Sequence, residues 1–238
     1  LTPVDIPYDK TNVNSIKGYF LNIKNSDNII AMGPFDKNTG LTGWLNYIAA
    51  STLYWERVMT NKAKRCEFAP AFAQTNGVLN YTNPVYLLGK EDTEKLLNFR
   101  CPVNFVKFNQ KTNSYYLNLN ATHKPEKDVL SEEQNRRMVN KINRDCNQLM
   151  QRFIGRVNTI STRQEVETLL RSYFETNIQS QIYKLDDYNV VCDRSDINTI
   201  DMINANKLGV LVQVKLTNAI YYIDVLNQIY SIGTDFNS

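Results

Sequence analysis

The chain has 238 residues, of which 42% are hydrophobic and 21% charged, with a formal net charge of +3. That is enough apolar material for one large core or two small ones. The charge balance is too even for a nucleic-acid binder, which carries a denser basic patch, and no membrane-spanning run, signal peptide or lipidation motif is present.

Catalytic chemistry finds little to work with. The four cysteines, Cys66, Cys101, Cys146 and Cys192, are scattered and form no Cys-x-x-Cys pair, so paired zinc ligands are missing. A Cys/His nucleophile would have to use His123, the only histidine. Its place beside Lys124-Pro125 reads as a solvated polar turn. Cys146 and Cys192 fall at apolar positions of a helix and a strand and read as free buried thiols. No Gly-x-Ser-x-Gly elbow, phosphate loop or metal-ligand spacing occurs. The sequence therefore reads as a protein that is not an enzyme and has no cofactor. The Asn-x-Thr sequons at Asn80 and Asn120 fit chance in so Asn-rich a chain.

The chain opens on Leu1 with two prolines before Tyr8, which reads as a piece of a longer polypeptide cut in a linker. Residues 1–25 are polar and turn-rich, with a possible strand over 19–23. Residues 28–32 read as a buried strand closed by Gly33-Pro34. A helix is expected over 42–59. Its apolar positions Leu45, Ile48, Ala49, Leu53, Trp55 and Val58 cover too much of the circumference for one stripe, as in a helix packed on two sides.

Residues 68–77 form an apolar loop punctuated by Pro70 and Gly77. A short helix follows over 91–99 with acids in its first turn. Strands are expected over 103–108 and 115–119. Strands alternating with helices indicate an α/β layer.

Residues 124–128 read as a linker. Ser131-Glu-Glu-Gln134 is a capping-box pattern. The helix after it runs to about Phe153 and stops at Gly155, with a core stripe of Met138, Ile142, Cys146, Leu149, Met150 and Phe153. Its other face carries Arg136, Arg137, Lys141, Arg144 and Arg152. Thr162-Arg-Gln-Glu165 is a second capping-box pattern. The following helix buries Val166, Leu169, Leu170, Tyr173 and Phe174.

Strand-like segments close the chain: 188–193, 208–216, 219–226 and 227–233. In the second, Leu208, Val210, Val212, Val214 and Leu216 share one face, with Leu211, Gln213 and Lys215 on the other. The fold class is thus α/β followed by α+β, two helices packing on a small antiparallel sheet. The last apolar strand has nothing after it to cover it, and an unpaired strand seeks a partner.

The ordered series of motifs resembles contractile phage tail sheath proteins, in their C-terminal portion, as found in a large divergent phage. It covers residues 68–232. The motifs are Phe68-Ala-Pro70 with Asn76-Gly77, the helix over 92–98 followed by Cys101-Pro-Val-Asn104, Asn135-Arg-Arg137, and Val-Val-Cys-Asp193. Ile200-Asp201, the alternating strand, Ala219-Ile220 and the terminal strand complete it. Lys215-Leu-Thr-Asn218 departs from the family's Lys-Pro-Thr turn, and the Asn-Pro segment is shuffled.

The resemblance implies a division at 1–124, the end of a subtilisin-like but non-catalytic sheath layer, and 125–238, an assembly domain with a C-terminal arm. No Asp/His/Ser triad is present in the first part. It implies a structural subunit of the contractile tail sheath that polymerises around the tail tube and contracts to drive the tube through the host envelope. Its partners would be other sheath subunits, the tail tube protein, and baseplate and tail terminator proteins, with no nucleic acid and no membrane. It would sit in the tail sheath of a virion, assembled in host cytoplasm.

The exchanged strand would be Val225, Leu226, Asn227, Gln228, Ile229, Tyr230, Ser231 and Ile232. The acceptor sheet would use Val210, Val212, Val214 and Leu216. The basic helix face, Arg136, Arg137, Lys141 and Arg144, offers a tube contact built of individually weak ion pairs, against an ordinary solvated face. The rival reading is a non-contractile virion binding module, a baseplate or adhesin domain, whose last strand pairs within its own sheet.

Overall fold

A computed structural model describes residues 2–7, 9–24, 26, 28–37, 47–63, 68–72, 76–99, 102–179, 185–193 and 195–217. Its first half is built on a five-stranded mixed sheet of order β1-β2-β6-β7-β5. The strands are β1 (Thr2–Asp5), β2 (Ile29–Gly33), β5 (Val78–Leu79), β6 (Asn104–Asn109) and β7 (Ser114–Leu117). β1 and β6 flank β2 in parallel. β7 returns antiparallel to β6, and β5 pairs antiparallel with β7. A two-residue pair, β3 (Asp36–Lys37) with β4 (Tyr47–Ile48), lies outside this sheet.

The apolar run of β2 is explained by cover on both faces. Ile30 and Met32 pack with Leu53, Tyr54 and Val58 of α2 (Ala50–Ala63). Ala31, one residue out of phase, packs with Ile16 and Phe20 of α1 (Val13–Leu21) and Leu96 of α3 (Lys90–Leu97). Helix α2 has no capping residue of its own sequence. Instead Asp5 reaches across from β1, accepting from the Ser51 amide at 2.8 Å and the Ser51 hydroxyl at 2.5 Å. Burial raises the Asp5 carboxyl above its ordinary pKa, against those hydrogen bonds.

Two expectations fail in this half. Residues 19–21 are helix, not strand, because Val13, Ile16 and Phe20 repeat with helical spacing and Asn12 caps the Ser15 amide at 3.0 Å. The second helix starts at Ala50, since Tyr47 and Ile48 pair as β4; residues 42–46 lie outside the described residues. The loop at 68–72, the helix near 91–99 and the β6–β7 pair fall where the sequence puts them.

The second half holds α4 (Glu133–Met150), α5 (Ile160–Gln179), the one-turn α6 (Ile200–Asn204) and the antiparallel pair β8 (Leu185–Val191) and β9 (Leu211–Leu216). Met138, Ile142 and Cys146 of α4, Phe153 after it, Val166, Leu170 and Phe174 of α5, and Val190 and Cys192 at β8 form one core. Leu208, Val210, Val212, Val214 and Leu216 pack against it, which matches the face read from the alternation. Full burial of an aromatic such as Phe174 contributes about 1.5–3 kcal/mol.

Both capping boxes are displaced. Ser131 ends a 3-10 turn, donating to the Asp128 carbonyl at 2.6 Å, and α4 begins at Glu133. Gln134 is drawn instead to Asn120, whose amide donates to it at 2.5 Å. At α5 the Thr159 hydroxyl accepts from the Thr162 amide at 3.2 Å, so the helix starts a turn early, while Glu165 pairs with Arg156 at 2.7 Å.

The joint between the halves is not a free tether. Ala121 bridges Glu132, the Glu133 amide donates to the Asn120 carbonyl at 3.0 Å, and Phe68 of the first half is buried in the second core. Around the joint a polar network is sealed from water. Asn104 donates to the Ala31 and Ala121 carbonyls, each at 2.8 Å, and accepts from the Ala121 amide at 2.9 Å. The Glu133 side chain, 0% exposed, pairs with Arg137 at 3.0 Å, and the Arg137 guanidinium lies over Phe68 at 5.7 Å. Tyr54 faces the same network, and burial, then Glu133, pushes its hydroxyl well above its ordinary pKa.

Candidate assembly interface

The two strands β8 and β9 are aligned by their side chains. Val190 faces Val212 and Tyr188 faces Val214, with the register shifting near Asp187. On the outer face Asn189 donates to Gln213 at 3.1 Å. Under the sheet the Phe174 ring stacks on Tyr188, 5.1 Å apart and 21° from parallel.

The long connection between the strands is pinned by Asn198. Its amide donates to the carbonyls of Cys192 at 2.5 Å and Gly209 at 2.9 Å, and its oxygen accepts from the Gly209 amide at 2.8 Å. A side chain at Gly209 would bring a Cβ within 2.9 Å of the Ile197 carbonyl, so glycine is required there.

The two edges of this small sheet differ. At the far end of β8, Arg171 donates to the Val190 carbonyl at 2.6 Å and Glu167 accepts from the Cys192 amide at 3.1 Å. The two side chains pair with each other at 2.9 Å along α5. Burial acts to raise the Glu167 carboxyl, but the Cys192 amide and the Arg171 guanidinium outweigh it and hold it below its ordinary value. Helix side chains thus occupy backbone groups of β8. β9 pairs with β8 on one side only, and among the described residues no strand covers its other edge. Such an edge is a template for strand addition.

The acceptor residues Val210, Val212, Val214 and Leu216 line the inner face of this edge. The donor residues, Val225 to Ile232, and the segment 219–226 lie outside the described residues.

The basic residues of α4 do not form one open surface. Arg136 donates to Asn28 at 2.9 Å, Arg137 is held by Glu133, and Lys141 pairs with Asp145 at 2.5 Å. Only the Arg144 side chain is strongly exposed among the four, at 71%.

His123 is a correction. It is fully buried, not solvated, with its ring 5.3 Å from Phe20 and its amide bonded to the Ile29 carbonyl at 2.7 Å. The segment runs beside β2 rather than out to water, and burial lowers the imidazole pKa. Cys146 and Cys192 are free and buried, and burial pushes each thiol up to about 11. Cys66 and Cys101 lie outside the described residues. Among the described residues no group of three His, Cys, Asp or Glu is placed to hold a metal ion, and no helix is long and apolar enough to cross a membrane. Asn120 is fully buried, so its sequon is closed to glycosylation in the folded chain.

Sequence reasoning missed the joint network of Tyr54, Asn104, Asn120 and Glu133. The available signal was Asn104 at the head of an apolar strand, where a polar residue must find partners.

No family model and no curated protein matches the chain. Solved structures do. A chain of the anti-feeding prophage baseplate matches at 16% identity with a TM-score of 0.77, covering 96% of this chain and 60% of that one. The sheath complex of PVC, an extracellular contractile injection system, in its contracted state matches at 18% identity and TM-score 0.78, covering 97% and 64%. The contracted helical sheath of the anti-feeding prophage matches at 15% and 0.74, covering 95% and 60%. The chain spans less than two thirds of the length of each of these. The resemblance read from the sequence holds at the level of fold: nearly the whole chain shares the fold of a part of these contractile injection system chains.

Proposed function

We propose that the chain is the C-terminal portion of a contractile sheath subunit. Residues 1–124 act as the sheath layer and residues 125–238 as the assembly part. The fold match over nearly the whole chain supports this, and one observation carries it furthest: helix side chains hold backbone groups at the end of β8, while among the described residues no strand covers the other edge of β9. In this reading β9 receives a strand, Val225 to Ile232, from a neighbouring subunit. About six inter-chain hydrogen bonds at about 1 kcal/mol each, with the burial of apolar side chains, make a link that survives rigid-body movement of the subunits.

Subunits so linked polymerise around a tail tube, between a baseplate and a terminator, and their contraction drives the tube through a host envelope. The setting is a contractile phage tail or a related injection device. The work comes from better inter-subunit contacts in the contracted state, so the protein acts mechanically rather than catalytically.

Negative-stain electron microscopy of the full-length protein expressed alone tests the reading. Tubes of sheath diameter are expected, and deleting residues 225–238 should abolish them while the domain stays folded. Normal tubes from the deletion would sink the strand-exchange part.

A further inference from the structure

An open strand edge has a weakness that hydrogen bonding does not cure. Backbone pairing alone does not fix register, and a slip of one residue sends every side chain to the wrong face. Sockets for particular side chains supply what the backbone cannot. The structure has such a socket where β9 begins.

A groove of about 890 Å³ lies between the turn that joins α4 to α5 and the lead-in to β9. Phe153, Ile154 and Val157 form one wall, and Ile203 and Leu208 the other. The groove is built rather than incidental. Gly155 makes its turn at φ +86°, and Asn158 ties the walls by donating to the Lys207 carbonyl at 3.1 Å while accepting from Arg163 at 3.0 Å. Ile154 is 81% exposed and Val157 76%, and Ile160 and Ile200 nearby are 58% and 77% exposed. Clustered exposure of this kind marks an interaction surface. Two cations stand in its lining: Arg156, paired with Glu165 at 2.7 Å, and Lys207, which has no ion pair among the described residues.

The matching chemistry is in the same chain. All 27 lysines and arginines lie before residue 219; the 20 residues after residue 218 contain Asp224 and Asp235 and no cation. Lay Leu226, Tyr230 and Ile232 antiparallel on Leu216, Val212 and Val210, so that apolar residues meet the inner face of β9. Ile232 then lies beside Val210, where the lead-in to β9 opens onto the groove, and the four residues after it, at up to about 3.4 Å each, bring Asp235 and Phe236 within reach of Lys207 and the groove wall.

We propose that this groove is the register stop of the strand exchange, seating Phe236 of a second copy with Asp235 set against Lys207. The proposal rests on the strand-exchange reading above and adds a docking surface to it. A strand shifted by one residue would turn Phe236 to the opposite face and away from the groove.

The test uses the full chain in a Cys66→Ser, Cys101→Ser background, with Cys146 and Cys192 left buried. One copy carries Val157→Cys and another Phe236→Cys; they are mixed, allowed to assemble and oxidised. A second mixture, Gln213→Cys with Ile229→Cys, reports strand addition on β9 itself. Covalent heterodimers in both mixtures are expected. A heterodimer only in the second mixture overturns the groove and leaves strand exchange standing. Neither heterodimer overturns both. A chain carrying Val157→Cys and Phe236→Cys together that closes within one copy, with no heterodimer in the first mixture, also overturns the proposal. Lys207→Glu should cut the first heterodimer about tenfold, and Asp235→Lys in the partner copy should restore it. No restoration counts against the charge pairing.

Discussion

At the joint between the five-stranded sheet and α4, polar groups find partners inside the molecule. Asn104 supplies three hydrogen bonds to Ala31 and Ala121, and Glu133 is sealed against Arg137 beneath Tyr54. In the two-stranded sheet Glu167 and Arg171 hold backbone groups at one edge, and among the described residues no strand covers the other. The joint is satisfied from inside the molecule, whereas the proposed strand exchange asks a second copy to extend the small sheet. On the proposed strand exchange, the difference separates a scaffold, where an unpaired group costs stability, from an assembly surface, where an unpaired edge is the means of association.

That contrast can be broken at several points. The largest effect is expected from Glu133→Ala, which strands the Arg137 guanidinium in the joint. Loss of one partner of a buried pair costs about 3–5 kcal/mol, read by urea unfolding of the full chain. A cost under 1 kcal/mol would show that the joint does not depend on the pair. Asn104→Ala comes next. It orphans two carbonyls and an amide, and a loss of about 2–3 kcal/mol is expected in the same assay.

His123 sharpens the comparison through pH. Burial lowers its folded pKa below the ordinary 6.5, so in acid the unfolded chain takes up a proton that the folded chain refuses. Its contribution is therefore fully present above about pH 6.5 and lost as pH falls through the folded pKa. Melting temperature should fall on acidification below that point, and His123→Phe should flatten the slope; an unchanged slope would place the titration elsewhere. The smallest effect belongs to Arg144→Glu. With 71% exposure, it should leave unfolding within about 0.5 kcal/mol of wild type. If Arg144 touches a tube, the same change should weaken co-sedimentation of the full-length sheath with its tube.

What the sequence disclosed follows from which interactions are local. The stripe of α4 and the alternation of β9 were legible because periodicity reports directly which face is buried. The capping boxes misled because Ser131 and Thr162 bond to the turns before them, to Asp128 and Thr159, while Gln134 and Glu165 go to Asn120 and Arg156. His123 misled because its polar neighbours hid a segment laid against β2. The apolar strand lacking cover in the sequence is the last one, which lies outside the described residues, while β9 was legible only by its two faces. Its counterpart, the occupied edge of β8, depends on Glu167 and Arg171 reaching back from a helix, and no local pattern announces that.

The Glu167–Arg171 pair also has a consequence for counting. A two-stranded ribbon with both flanks bare can add material on either side without limit, which is how runaway fibrils grow. With the Val190 carbonyl and the Cys192 amide held by its own helix, β8 offers less to a newcomer, and on the proposed strand exchange each sheet takes one donor. A population of such chains can form a line in which every member accepts a single donor, and a sheet already served cannot recruit a second. Opening that flank, as Glu167→Ala with Arg171→Ala would, turns a countable polymer into one with no fixed stoichiometry.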